Sequence, residues 1–349
     1  MHRRALLAGA AVALAVPACA APKVGYGDLP PLKSVAPYPL GVAVRAPQLN
    51  DPDWTQLAAA QFSRLTAEWE MKMEYVLRDD GSLQFDRADR IVDFAARNGM
   101  AVHGHTLIWY AQDGAHFQRL KGKPDAFLNA YVAYIQGVMG RYRGRVTGWD
   151  VVNEPIWNDG RGLRPCLWQS VLGDDYIGLA LTAAQAADPG AVLFINDYNL
   201  ELTPAKRTRL LKLCEGLLKS GAPLHGIGTQ THVSADLPPA AMTAAIRDIA
   251  SLGLKVHVSE VDISLHEDRL TNLVQPRLDQ IRVFEALVKA YNDVPAVQRY
   301  GMTVWGLRDP DSWMNAPKER KGLLPDEPLL FDGLGRPKPL ARSFARLAR

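Results

Sequence analysis

Two carboxylates in this chain each stand at the end of an apolar run. "GWDVVNEP" (148–155) reads as a buried strand that finishes on Asn153, Glu154 and a proline, and "KVHVSEVD" (255–262) carries Glu260 and Asp262 at its end. Burying a charged group is costly unless it is paired or reactive, so a carboxylate in this position marks a place to look for chemistry. Two isolated carboxylates facing each other across a cleft are what glycoside cleavage uses. One protonates the leaving oxygen, and the other attacks the sugar or activates water. Glu68, His105, Asn196, Asp197, Gln230, His232 and Trp305 close apolar runs in the same manner.

Residues this far apart can share a site only if a regular scaffold gathers them. Eight strand-like runs recur, at 40–44, 62–68, 100–109, 146–154, 192–197, 225–232, 255–262 and 301–307. Helical patterns lie between them. Asp86 is placed to cap a helix that carries Ile91, Phe94 and Ala95 and stops at Gly99, and Thr203-Pro204 opens another that stops at Gly221. A third helix bears Ile281, Phe284, Leu287, Val288 and Tyr291 on one stripe. Strands alternating with helices imply parallel βαβ units, and eight of them predict an α/β fold, a single (β/α)8 TIM barrel over residues 38–349, whose active groups collect at the C-terminal strand ends. Strand parity puts Glu260 and Asp262 on one face and His257 with Ser259 on the other; it also puts Gln230 and His232 on a common face.

With 48% hydrophobic and 22% charged residues in a chain of 349, the composition is that of a globular protein with a sizeable core. The net charge of +3 includes Arg3 and Arg4 and gives no footprint for nucleic acid or an anionic membrane. Residues 1–20 combine a positive start, a short apolar stretch and the small residues Ala18-Cys19-Ala20. They read as an export signal, with Arg3-Arg4 hinting at the twin-arginine route and an apolar stretch too short for a transmembrane segment. A lipid anchor at Cys19 is disfavoured by Pro17, so release to the periplasm or medium is expected, after a Pro-rich leader at 21–37 and with no appended binding module. Cys166 and Cys214 would then sit where a disulfide can form, although Cys214 lies among leucines at helical spacing like a small core residue.

Eight stretches in order, "LTAEWEMKME", "GHTLIWYAQ", "WDVVNEP", "NDYNLE", "GIGTQTHVS", "SEVDIS", "VWGLRDPDSW" and "FDGLGRPKP", resemble glycoside hydrolase family 10, the retaining endo-β-1,4-xylanases of (β/α)8 fold. The resemblance implies that Glu154 is the acid/base, Glu260 the nucleophile and Asn153 a partner of the sugar's 2-hydroxyl. It further implies that Glu68, Lys72, His105, Trp109, Gln230, Trp305 and Trp313 line the sugar subsites, that His232 and Asp262 support Glu260, and that xylan is the substrate, with no metal or other cofactor. Tyr198 joins the substrate-binding candidates. Two positions depart from the family's pattern: Trp69 stands where asparagine is usual and Tyr110 where histidine is usual. Trp69 lacks the amide's paired donor and acceptor, which predicts a weaker grip on the second sugar of the glycone side.

A different chemistry is also open to these residues. His103 and His105 share a strand face at a spacing used for divalent metals in barrel hydrolases, and His232 is a candidate third ligand. That reading leaves Asn153-Glu154 and the tryptophans without a task.

Overall fold

The computed structural model describes residues 29–265, 273–317 and 325–348. The predicted strands form as β1 (Leu40–Val44), β2 (Arg64–Ala67), β3 (Ala101–Trp109), β4 (Gly148–Asn153), β5 (Val192–Asp197), β6 (Gly226–Thr229), β7 (His232–Ser234), β8 (Lys255–Ser264) and β9 (Arg299–Val304). Each neighbour is parallel, and β1 pairs with β9 to close the ring. The sixth barrel strand is split: β6 and β7 both pair with β8, and Gln230 and Thr231 interrupt them. Eight barrel strands result, as the alternation of apolar runs and helical patterns predicts.

Proline positions explain where many helices begin. Pro52, Pro124, Pro204, Pro239 and Pro339 each open a helix, at a position whose N–H would have no intrahelical partner. The helix Asp86–Arg97 buries Ala88, Ile91, Val92 and Ala95 against the barrel. Its cap is Phe85, however, not Asp86, which instead occupies the first helical position, where its charge favours the helix dipole. Gly99 and Gly221, the expected stops, follow their helices with φ of 64° and 78°.

Strict alternation fails near the mouth. Between Asp150 and Val152, β4 spends one more residue than β5, and between Val258 and Val261, β8 spends one more than β9. These bulges let Asp150 and Asn153, or His257 and Glu260, face the barrel axis although three positions separate each pair. Parity had put Ser259 opposite Glu260. The bulge brings both to Asn196: Ser259 Oγ donates to Asn196 Oδ1 at 2.6 Å, and Asn196 Nδ2 donates to Glu260 Oε1 at 2.7 Å.

Residues 1–20, read as the signal, lie outside the described residues. Part of the leader does not: Leu32 is fully buried, and its N–H donates to Gln61 Oε1 at 2.9 Å, so the packed domain reaches back before residue 38. Cys166 and Cys214 are both free, with Cys214 buried in the core. No described helix is long and apolar enough to cross a membrane.

Candidate active site

The C-terminal strand ends open into a cleft of about 630 Å³, which Glu154 and Glu260 both line. Glu154 follows β4 directly and adopts φ of 57°, a left-handed conformation uncommon outside glycine. Its N–H donates to the Asn196 carbonyl at 2.7 Å, which fixes the turn. Backbone held in this region at a strand end is a form of strain found at functional sites.

Asn153 Nδ2 and Gln230 Nε2 both donate to Glu154 Oε1, at 3.0 and 2.9 Å. Asn196 Nδ2 donates both to Asn153 Oδ1, at 2.9 Å, and to Glu260 Oε1. An amide relay therefore joins the two carboxylates. Gly228 makes room for it, since a Cβ there would lie 2.3 Å from Asn196 Oδ1.

Glu260 Oε2 lies 3.2 Å from His232 Nε2, and His232 Nδ1 lies 2.8 Å from Asp262 Oδ2. Trp313 Nε1 donates to that same Asp262 oxygen at 2.9 Å. Burial works against charge on Glu260, but His105, His232 and Lys72 outweigh it and hold the carboxyl below its ordinary range. Burial likewise opposes charge on His232, yet Asp262 and Glu260 push the imidazole up to about 10. Burial also raises Asp262 against the pull of His232 and Trp313. A proton on His232 serves two carboxylates at once, so the imidazolium is the form this geometry favours.

On one flank, Glu68 sits 3.4 Å from Arg45, and burial pushes its carboxyl up to about 7 despite Arg45 and Lys72. The Lys72 ammonium lies between two indoles, 4.5 Å from the Trp69 ring centre and 4.9 Å from that of Trp109. Trp69 thus turns into the cleft instead of outward. His105 meets Trp305 edge to face at 5.3 Å, and Trp305 is 5% exposed. Across the cleft, Arg164 stacks over Tyr110 at 4.3 Å and donates to the Tyr198 hydroxyl at 3.0 Å.

The structure thus places the catalytic and substrate-binding candidates at the mouth, with Asp262 directly behind, while His103 of the metal reading lies deeper in the barrel. Four supporting residues were missed. Asn196 and Asp197 stand out in the sequence only as strand ends, without a role. Asp197, fully buried, accepts from the Ile156 N–H at 3.1 Å and pairs with buried Lys206 at 2.6 Å, so it anchors the segment after Glu154; burial pushes it up to about 6 against that lysine. Glu201 Oε1 accepts from Thr229 at 2.6 Å and Thr231 at 2.8 Å, clamping the break that aims Gln230 and His232. Asp150 takes His105 Nδ1 at 2.8 Å. The three imidazoles of the metal reading are parted: His103 and His105 share Asp150, while His232 is engaged by Glu260 and Asp262.

The sequence model described as glycosyl hydrolase family 10 matches residues 32–346. The chain belongs to that family. It is 36% identical over 343 residues to endo-1,4-beta-xylanase A of Cellvibrio japonicus, covering 88% of this chain and 55% of that protein. It is also 36% identical over 320 residues to the beta-1,4-xylanase of Dictyoglomus thermophilum, covering 89% of each. The chain spans only about half of the Cellvibrio protein, and 29% and 27% of two further relatives. Its fold matches the crystal structure of xylanase XynB from Paenibacillus barcinonensis, complexed with a conduramine derivative, with a TM-score of 0.84 at 31% identity over 91% of this chain and 98% of that one. These family 10 structures have the (β/α)8 barrel described above.

Proposed function

We propose that this family 10 protein is an exported endo-1,4-β-xylanase that cleaves the xylan backbone by double displacement with retention. The observation that carries the reading is the unequal holding of its two carboxylates. Glu154 receives two amide donors on Oε1, which leaves Oε2 to carry a proton toward a glycosidic oxygen. Glu260 is held ionised by His232 and Asn196, the state a nucleophile needs.

In the first step Glu260 attacks the anomeric carbon while Glu154 protonates the departing oxygen, which gives a glycosyl ester and a free chain end. Esterification removes the negative charge of Glu260. Glu154, now without its proton, withdraws one from water, which attacks the ester and restores the β configuration. Asn153 sits within the amide relay, where a sugar 2-hydroxyl can exchange for one of its present partners. Glu68, Lys72, Trp109, Trp305 and Trp313 supply the charged and flat apolar surfaces that a xylose ring requires. Residues 1–20 would direct the chain out of the cytoplasm.

The test is a product profile on xylan and short xylo-oligosaccharides, with and without a strong chelator. Internal cleavage to short oligosaccharides, unaffected by chelator, is expected. Failure to shorten xylan would refute the substrate, and loss of activity on chelation would point to the metal-dependent reading.

A further inference from the structure

Beneath the cleft, the barrel interior holds a second polar constellation that the proposed reaction does not use. His103 from β3, Asp150 from β4 and His257 from β8 are each 1% exposed or less. One ligand-capable atom from each lies within 4.8 Å of the other two, and His103 Nε2 stands 3.1 Å from Asp150 Oδ1. His257 Nδ1 is buried without a hydrogen-bond partner, and His103 Nε2 and Asp150 Oδ1 have no partner but each other. A buried polar atom is seldom left so, and one aimed at a histidine–carboxylate pair needs an explanation.

The other polar atom of each side chain is already engaged. Tyr300 Oη lies 3.2 Å from His103 Nδ1, Thr303 Oγ1 lies 3.0 Å from His257 Nε2, and His105 Nδ1 lies 2.8 Å from Asp150 Oδ2. Metal ligands are commonly held this way, with an outer residue on the non-ligating atom fixing tautomer and ring orientation. Three ligand atoms point inward and three outer partners fix them.

We propose that His103 Nε2, Asp150 Oδ1 and His257 Nδ1 bind a divalent transition metal ion, with zinc the best match. Two imidazole nitrogens and one carboxylate oxygen suit zinc, whose ligand atoms lie about 3.3 Å apart, near the observed His103 to Asp150 spacing. Magnesium and calcium prefer oxygen-rich shells, which two imidazoles do not supply. The ion ties β3, β4 and β8 together below the mouth and is structural, because the site is enclosed. The Arg64 guanidinium stands close by, stacked on the Tyr300 ring at 4.1 Å and donating to the Tyr300 carbonyl at 3.2 Å. An ion so placed enters as the barrel folds and is lost on unfolding, so a chelator added to native protein leaves it in place.

The experiment uses the full chain expressed in zinc-supplemented medium, dialysed against chelator under native conditions and weighed for metal by elemental mass spectrometry. About one zinc per chain should remain, and unfolding in chelator should release it. Protein produced with cobalt should show the visible absorption of cobalt bound to nitrogen and oxygen ligands. His103→Gln and His257→Gln should each lower the metal content at least about fivefold. Zinc below about 0.1 per chain in folded, active wild type overturns the site. Unchanged zinc in both variants overturns it too, by placing the ion elsewhere. If the variants fail to fold, the wild-type metal content and the cobalt spectrum decide the question.

Discussion

At the end of β4, Glu154 has one oxygen held by two neutral amides; within β8, Glu260 has an amide on one oxygen and an imidazolium against the other. The two side chains are chemically identical, and both are carried by buried apolar strands. Their difference lies in the charge of their partners. Neutral donors on a single oxygen leave room for a proton, whereas a cation supported from behind by Asp262 and Trp313 excludes one. Environment, not residue type, divides acid from nucleophile.

Removing each carboxylate in turn is the harshest way to break that contrast. Glu260→Ala should cut turnover of every glycoside by at least about 10⁴-fold. Glu154→Ala should cost about 10² to 10⁴ on xylan but leave glycosylation by aryl glycosides with activated leaving groups nearly intact, as a burst of released phenol would show. Equal losses on the activated substrates would erase the distinction.

The relay between the two sites comes next in size. Asn196→Ala removes donors to both Asn153 and Glu260 and should lower kcat on xylan about 10² fold with little change in KM. An unchanged kcat would make the relay incidental.

His232 tests the electrostatic half of the comparison. Its imidazole, pushed up from 6.5 to about 10 by Asp262 and Glu260, binds its proton more tightly in the folded state. Its stabilisation is therefore complete below about pH 6.5 and is lost as pH rises from there toward about 10. His232→Gln should lower Tm by several degrees near neutrality and flatten the fall in Tm over that window. A fall as steep as that of wild type would assign it to other groups.

How much of this was readable beforehand depended on whether local pattern decided the outcome. Strand ends, the paired carboxylates and the helix starts at proline follow from periodicity and backbone chemistry, which are properties of short stretches. The bulges in β4 and β8 are not, because an extra residue in one strand is defined only against its neighbour. For that reason parity sets Glu260 opposite His257 and Ser259 although all three turn inward, and it does not reveal the convergence of His103, Asp150 and His257. Asp86 failed as a cap because the chain had already turned at Phe85. Leu32 lies in a Pro-rich stretch that reads as a linker, and only its docking beside Gln61 reveals it as core.

Trp69 offers the mildest test. Its indole and that of Trp109 flank Lys72, so the flank of the cleft is aromatic where the family pattern offers an amide. Trp69→Asn should raise the preference for aryl xylobioside over aryl xyloside, measured as a ratio of kcat/KM, by about two- to tenfold, the worth of one hydrogen bond at roughly 0.5 to 1.5 kcal/mol. No change would make the indole scaffolding.

The division of labour between Glu154 and Glu260 meets its most direct test in the stereochemistry of a single turnover. Proton NMR of xylo-oligosaccharide hydrolysis, recorded before the product mutarotates, reads the configuration of the new reducing end. The β anomer should appear first, because attack by Glu260 and then by water inverts the centre twice. First appearance of the α anomer would mean that water attacks directly, and Glu260 would not be the nucleophile.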